Sequence, residues 1–514
     1  MKRTGTWLTV LMCAGILSAC GSKDKTAAVA PAIPARGELL QSPPAKVVTF
    51  SPADLLALLG GSDQGKLLLR LAYTPRCSID VLQIKYQTVD PAAALTPGSG
   101  VLMVPSGTDP ACSGALPILL YGHGTSTDRN YNLADISTGN NGEGVLLAAV
   151  FAAQGYIVVA PNYVGYDTST LGYHPYLNAD QQSKDMIDAL AAARSALPIS
   201  SAPSTTDGGK LFVTGYSQGG YVAMATHRAM QAANITVTAS APMSGPYALS
   251  AFGDAIFQGQ VSANPVVNLT LLTTSYQHAY SNLYSSAGEI FVSQYAPSID
   301  ALLPNTVGVP DLKTQGKLSA ALFSSTAPDP AFAALTPATQ PATLATVFAQ
   351  GFGADFLITN EYRLAYLQDA QAAPDGGFPA VTDGLPPANP SNKLRQDLKT
   401  NDLRNWVPTA PVLLCGGNSD PTVFFFNTQL MQSYWSANPP TPPAVVLDVD
   451  SASPAGDPYT GIKTGFTVAK DAVRVNAVLG GASDGGDQAV LNAYHGTLVA
   501  PFCISAAKSF FDSH

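Results

Sequence analysis

The segment that most limits what this chain can become is residues 210–226, which read KLFVTGYSQGGYVAMAT. It sets Gly215-Tyr216-Ser217-Gln218-Gly219 between a short apolar run, Leu211-Phe212-Val213, and a helix-like run carrying Tyr221, Val222, Met224 and Ala225. A strand that turns sharply into a helix holds the central serine of G-x-S-x-G on a tight bend, its hydroxyl free at the carboxyl edge of a parallel sheet. Gly215 and Gly219 are needed because a larger side chain at either would collide with the neighbouring strand or helix. The five residues alone are a weak signal in a chain with 45 glycines, and an accidental Gly-rich turn is the bland alternative. The flanking strand and helix make Ser217 a candidate nucleophile.

A serine hydroxyl attacks well only when an imidazole takes its proton and an acid orients that imidazole. With an elbow of this kind, the acid and then the histidine follow the serine in the chain. After the elbow helix come His278, His495 and His514. His278 falls in a different kind of segment and His514 is the last residue. His495 sits in Asn492-Ala-Tyr-His-Gly-Thr497, read as a loop entering a final helix, and is the candidate base; a plain surface histidine is the competing reading. The run Pro411-Val-Leu-Leu-Cys-Gly-Gly-Asn-Ser-Asp420-Pro reads as a buried strand delivering Asp420 at its end, with a helix starting near Val423. Asp420 could instead serve as a turn or helix-cap residue, and Asp448 and Asp450 are the runner-up acids. For the oxyanion, the backbone N–H of Gln218 is one expected donor. The second is expected from Gly122-His-Gly-Thr-Ser126, with Gly124 or Thr125 presenting the amide and His123 anchoring the loop.

Along the chain the pattern alternates. Residues 81–88 read as a half-buried strand, and residues 101–104 could pair with it as a hairpin. Residues 118–121 and 156–160 are short apolar runs typical of central parallel strands. Helical stretches are expected at 144–153 and 180–197, the latter with Met186, Ile187, Leu190 and Ala193 on one face. A further strand is expected near 237–241. From 246 to 405 helical stretches replace buried-strand signals, and the sheet pattern returns at 412–415 and 445–449. This predicts an α/β chain: a mostly parallel sheet flanked by helices, with a largely helical cap inserted after the sixth strand. The expected boundaries are a core of 46–245 and 406–514 with a cap of 246–405. A separate C-terminal domain from about 247 is the alternative, and it would leave the core without its acid and histidine.

Composition bounds the setting. Charged residues make up 12 % of the 514, about half the usual share, which suits an exported protein. The net charge of −9, with no basic stripe, argues against a nucleic-acid partner. Lys2 and Arg3 followed by the apolar residues 7–17 form a targeting segment. It ends in Leu17-Ser18-Ala19-Cys20, similar to a bacterial lipobox, so residues 1–19 read as a lipoprotein signal with lipid on Cys20; an ordinary signal peptide is the alternative. Gly21 after that cysteine points to the outer membrane or cell surface, and residues 20–45 read as a flexible tether. Cys77, Cys112, Cys415 and Cys503 remain, an even count that reads as two disulfides in an exported chain. Three pairings are possible; Cys77–Cys112 with Cys415–Cys503 is preferred because each pair brackets a plausible structural unit. Metal binding lacks the usual close cysteine spacing. The turn at Ser483-Asp-Gly-Gly-Asp487 lacks calcium-loop spacing.

The elbow Gly215-Tyr-Ser-Gln-Gly219, the run Ala160-Pro-Asn-Tyr-Val-Gly-Tyr166 and His174-Pro-Tyr-Leu177 together resemble the secretory lipases, exported lipase/esterases of the α/β-hydrolase superfamily. The resemblance covers about residues 75–512. It implies a serine carboxylesterase or lipase acting on acyl esters, with Ser217, His495 and Asp420 as the triad and no cofactor. Asn162 stands where relatives often carry an acid, and the lipobox departs from their ordinary signal peptide. His174, Tyr173 and Tyr176 are expected to pack beneath the cap, with substrate contact the lesser reading. The competing functions are a serine peptidase on the same fold and a surface-binding lipoprotein with a dead hydrolase fold.

Overall fold

The computed structural model describes residues 34–514 apart from 62, 72–73, 137–141 and 380–383. The expected signal segment and Cys20 lie outside the described residues. Nine strands form one sheet: β1 (Ala45–Phe50), β2 (Ser78–Val89), β3 (Leu95–Ser106), β4 (Gly114–Gly122), β5 (Ile157–Pro161), β6 (Thr205–Tyr216), β7 (Ala239–Met243), β8 (Leu413–Gly416) and β9 (Val445–Asp448). Their spatial order is 1-2-3-5-4-6-7-8-9. β1, β2 and β3 pair antiparallel, as do β3 and β5, and every later pairing is parallel.

The hairpin of β2 and β3 is in full register from Ser78↔Ser106 to Val89↔Leu95. Its alternation feeds two cores rather than one. Leu82, Ile84, Leu102 and Val104 pack on one face of the sheet, while Ile79, Val81, Val101 and Met103 pack on the other. The half-buried strand expected from the pattern is therefore buried on both faces, because helices cover both. Cys77 and Cys112 bridge just outside the hairpin, and Cys415 on β8 bridges to Cys503. β1 was not legible in the sequence, since as an edge strand it leaves Lys46, Val47 and Thr49 outside the core and shows no clean alternation. It makes β7, the strand before the large excursion, the seventh in the chain.

Helices α1 (Gly142–Val150), α2 (Ala179–Ala196) and α3 (Gln218–Ala232) cross between the central strands. Asn178 caps α2, accepting from the Gln181 N–H at 3.0 Å, and Met186, Leu190 and Ala193 enter the core. α2 also carries Asp185 against β2. There the carboxylate accepts from the Tyr86 hydroxyl (2.6 Å) and the Val164 N–H (2.8 Å). Burial outweighs these bonds and pushes Asp185 up to about 7. The folded protein thus keeps a proton there that the unfolded chain has already lost, so stability falls as pH rises through that interval. Asp185→Asn is expected to raise the melting temperature relative to wild type at about pH 8 and to leave it nearly unchanged at about pH 4. Thermal unfolding of both proteins at the two pH values checks this.

Between β7 and β8 the chain leaves the sheet. α4 (Leu249–Phe257), α5 (Pro265–Tyr280) and helices at Asn360–Ala372 and Lys393–Thr400 are its principal elements, with a two-stranded pair at Phe323–Ser324 and Phe352–Gly353. The two ends of this excursion are tied together. The Leu403 N–H donates to the Tyr247 carbonyl (3.0 Å), and the Ser250 N–H donates to Asp402 (3.0 Å). Several boundaries shift from expectation: the helix expected at 144–153 ends at Val150, and the strand expected at 101–104 begins at Leu95. β7 begins at Ala239 rather than near 237, and the helix after Asp420 begins at Phe426 rather than near Val423.

Candidate active site

Parallel sheets place ligands at the carboxyl ends of their strands, and three adjacent ends converge here. β6 ends at Tyr216 and Ser217 follows it at φ +60°, ψ −123°, a left-handed conformation that a non-glycine residue adopts only when its surroundings impose it. The surroundings are backbone. A Cβ on Gly219 would lie 1.9 Å from the Gly122 carbonyl oxygen, and one on Gly215 would lie 2.3 Å from the Gly219 oxygen. Gly220 is as tightly placed, 2.2 Å from the Met243 oxygen by the same measure. The elbow is a contact of main chain on main chain, and only glycine fits it.

The structure brings Ser217, His495 and Asp420 together. The Ser217 hydroxyl lies 2.8 Å from His495 Nε2, and His495 Nδ1 lies 2.7 Å from Asp420 Oδ2. Asp420 is almost fully buried, and its other oxygen accepts from the N–H groups of Thr422 (2.9 Å) and Val423 (3.0 Å). It is therefore both a turn residue and a partner of the imidazole. Asp448 and Asp450 do not reach His495. Asp448 braces the acid turn through Asn418 (2.9 Å), and Asp450 holds Lys470 and the Tyr494 hydroxyl (2.8 Å). His278 is stacked on Tyr173 with ring centroids 4.0 Å apart, and His514 bonds within the C-terminal helix.

One expectation about the base is corrected. His495 is not on a loop but in a π-helical turn, Tyr494–Val499, that joins the helices Asp487–Ala493 and Ala500–Asp512. The wider turn inserts the imidazole toward Ser217 without ending the helix, a use common for π-turns at functional sites. Tyr216, the variable residue of the elbow, donates its hydroxyl to the His495 carbonyl and so ties nucleophile to base.

The loop after β4 is also placed differently from expectation. The Gly124 N–H is taken by Glu143, at 3.0 Å from Oε1 and 3.3 Å from Oε2. Of the two residues expected to offer a second oxyanion donor, Gly124 thus has its N–H engaged, and alongside Ser217 and Gln218 the cavity is lined by Thr125. Its hydroxyl meets that of Tyr176 at 3.1 Å. His123 is fully buried between the carbonyls of Gly124 (2.6 Å) and Asn162 (3.0 Å) and stacks on Tyr163, with burial holding it down to about 4. It anchors the loop. Asn162 serves the same region, accepting from the Leu133 N–H at 2.8 Å and donating to Ser99 at 3.0 Å. His174 does not reach the cavity. Its Nδ1 donates to the Val164 carbonyl (3.0 Å), and its Nε2 accepts from the Gln218 side-chain amide (2.7 Å). Burial drives its pKa down to about 3, so it stays neutral and keeps that acceptor.

Ser217 and His495 open into a cavity of about 570 Å³. The lining from the excursion between β7 and β8 is mostly apolar, with Leu249, Phe252, Ile256, Val267, Leu272 and Leu398, and also carries Ser262, Asn264 and Asn268. The opposite wall, with Tyr121, Glu143 and Leu146, belongs to the sheet and α1. Glu143 and the Tyr216 hydroxyl were missed in the sequence. A single acid in a helix's first turn is ordinary there, and the middle residue of G-x-S-x-G is read as arbitrary. Among the described residues no cluster of His, Cys, Asp and Glu could hold a metal ion.

Likeness to known proteins agrees with this architecture. The model of the prolyl oligopeptidase family matches residues 146–244, a minority of the chain that includes the elbow. No curated protein matches the chain. Among solved structures, the chain is similar to the rice cell wall degrading esterase LipA from Xanthomonas oryzae, at 26 % identity with a TM-score of 0.61, covering 86 % of this chain and 99 % of that one. A putative hydrolase from Legionella pneumophila matches at 19 % identity and a TM-score of 0.60, covering 91 % of this chain and 96 % of that one, and speaks to the fold alone. With the sheet order, the elbow and these likenesses together, the chain is a hydrolase of the α/β-hydrolase fold.

Proposed function

We propose that the protein is a serine carboxylesterase or lipase of the secretory-lipase kind, cleaving acyl esters through an acyl-enzyme. The observation that carries this is the hydrogen-bonded line from Asp420 through His495 to Ser217, opening on a cavity with an apolar wall. Ser217 attacks the ester carbonyl as His495 Nε2 accepts its proton, and Asp420 holds the imidazole in the tautomer that can do so. The tetrahedral oxyanion is met by the N–H groups of Gln218 and Thr125. His495 then returns the proton to the departing alcohol, and water repeats the sequence to free the acid. The acyl chain lies along Leu249, Phe252, Ile256 and Val267, where each buried methylene contributes about 0.8 kcal/mol of binding.

The match to the prolyl oligopeptidase model favours a second reading, a serine peptidase. It covers the part of the fold that any hydrolase with this elbow shares, whereas the likeness to an esterase spans most of the chain. A fluorophosphonate should label Ser217, and p-nitrophenyl esters of graded chain length should be cleaved in preference to peptide p-nitroanilides. Faster turnover of the anilides would replace esterase by peptidase, and an unlabelled protein would favour the binding lipoprotein.

The same proposal places the enzyme outside the cytoplasm, anchored through lipid on Cys20. Metabolic labelling with radioactive palmitate should mark the full chain and not its Cys20→Ser variant; equal labelling of both would remove the anchor.

A further inference from the structure

Among the described residues Glu143 is the one carboxylate lining the cavity that the proposed triad does not use. It stands in the first turn of α1, and both of its oxygens are occupied by donors. Oε1 accepts from the Tyr121 hydroxyl (2.7 Å) and the Gly124 N–H (3.0 Å). Oε2 accepts from the Tyr131 hydroxyl (3.2 Å) and, at 3.3 Å, from the same Gly124 N–H. Among the described residues it forms no ion pair, so the group is balanced by neutral donors and by the start of α1. Burial, the larger influence, raises its pKa against those three donors.

Three separate elements therefore meet at one acid: Tyr121 from β4, the loop carrying Gly124 and Tyr131, and α1. The loop is held where it matters. A Cβ on Gly124 would come within 3.8 Å of the carbonyl of Tyr216, the residue before the nucleophile. A donor that stabilises an oxyanion must lie about 2.7–3.1 Å from it, and an error near 1 Å costs on the order of 100-fold in rate. His123 anchors this Gly-His-Gly-Thr loop from one side, and Glu143 holds its Gly124 N–H.

We propose that Glu143 is a positioning residue of the reaction: by taking the Gly124 N–H and the Tyr121 and Tyr131 hydroxyls, it fixes the loop so that Thr125 presents its amide to the oxyanion. This rests on the esterase reading above. It assigns Glu143 no contact with substrate and no proton transfer. Its effect falls on the transition state, in which the oxyanion exists, and not on substrate binding.

The test uses the full chain with p-nitrophenyl butyrate, active sites being titrated with a fluorophosphonate so that kcat is per competent site. Glu143→Ala should lower kcat by about 10- to 100-fold with KM within about twofold, since a loosened donor is lost only in the transition state. Its melting temperature should fall modestly, because buried donors lose their acceptor even as a desolvated acid is removed, so kcat per competent site is the deciding readout. Glu143→Gln keeps an acceptor for Gly124 and Tyr121 and should recover kcat to within a few-fold of wild type. Tyr121→Phe, which deletes one donor to Glu143, should give a smaller loss confined to kcat. An active wild type with kcat of Glu143→Ala within twofold overturns the proposal. So does a fall in melting temperature with unchanged kcat per competent site, which would mark Glu143 as a fold residue only. A wild type that neither labels nor cleaves the ester would sink the esterase reading and this proposal together.

Discussion

Ser217→Ala should reduce kcat/KM for p-nitrophenyl esters by about 10⁴- to 10⁶-fold and abolish labelling by a fluorophosphonate. The size follows from the geometry. With its hydroxyl 2.8 Å from His495 Nε2, Ser217 supplies the oxygen that forms the new covalent bond in the proposed mechanism, and among the described residues no other hydroxyl is bonded to that imidazole. His495→Ala should cost about as much, and the double variant little more than either, because the two act as one unit. Folding should be untouched in the serine variant, since alanine retains the Cβ and the elbow is fixed by the glycines around it. Purified proteins assayed at equal concentration, with melting curves alongside, give the answer. Residual turnover within tenfold of wild type in Ser217→Ala would place the chemistry elsewhere.

The largest expected loss of stability comes from a cation far from that chemistry. Arg404 is fully buried and forks onto two acids, reaching Asp375 at 2.7 and 3.1 Å and Asp402 at 2.9 and 3.0 Å. Burial pushes Asp375 up to about 6, while the two carboxylates hold the guanidinium charged. Arg404→Ala would leave both acids without their cation, and breaking a buried pair from one side costs about 3–5 kcal/mol. The loss should show as a lower urea midpoint near neutral pH and shrink toward pH 5, where the stranded Asp375 can take a proton. Replacing Asp375 and Asp402 by Asn in the Arg404→Ala background should recover part of it. An unchanged midpoint would mean that water already reaches the cluster.

Much of the core was legible because its signals are local. The elbow, the apolar strands β4 and β6 and the turn at Asp420 each announce themselves within a dozen residues. Chain order then singles out His495. What escaped was set by partners distant in sequence. β1 is recognisable only once β2 lies beside it, and the π-turn at His495 depends on how two helices meet the sheet. Glu143 is an unremarkable acid until the loop after β4 folds onto it, and that contact engages the Gly124 N–H, one of the two amides expected to meet the oxyanion. The bridging of Cys77 to Cys112 followed from reading their hairpin, whereas the ends of β7 and of the helix at Phe426–Ala437 slipped because no cap residue marks them.

The clamp at the foot of the excursion has an evolutionary consequence. Tyr247 to Leu403 and Ser250 to Asp402 close its ends into a narrow neck, and Arg404 locks that neck from behind. The residues that would handle the acyl chain hang beyond it, and the reactive trio lies on the sheet side. A lineage could exchange everything past the neck as one cassette and inherit a new diet while its chemistry stayed the same.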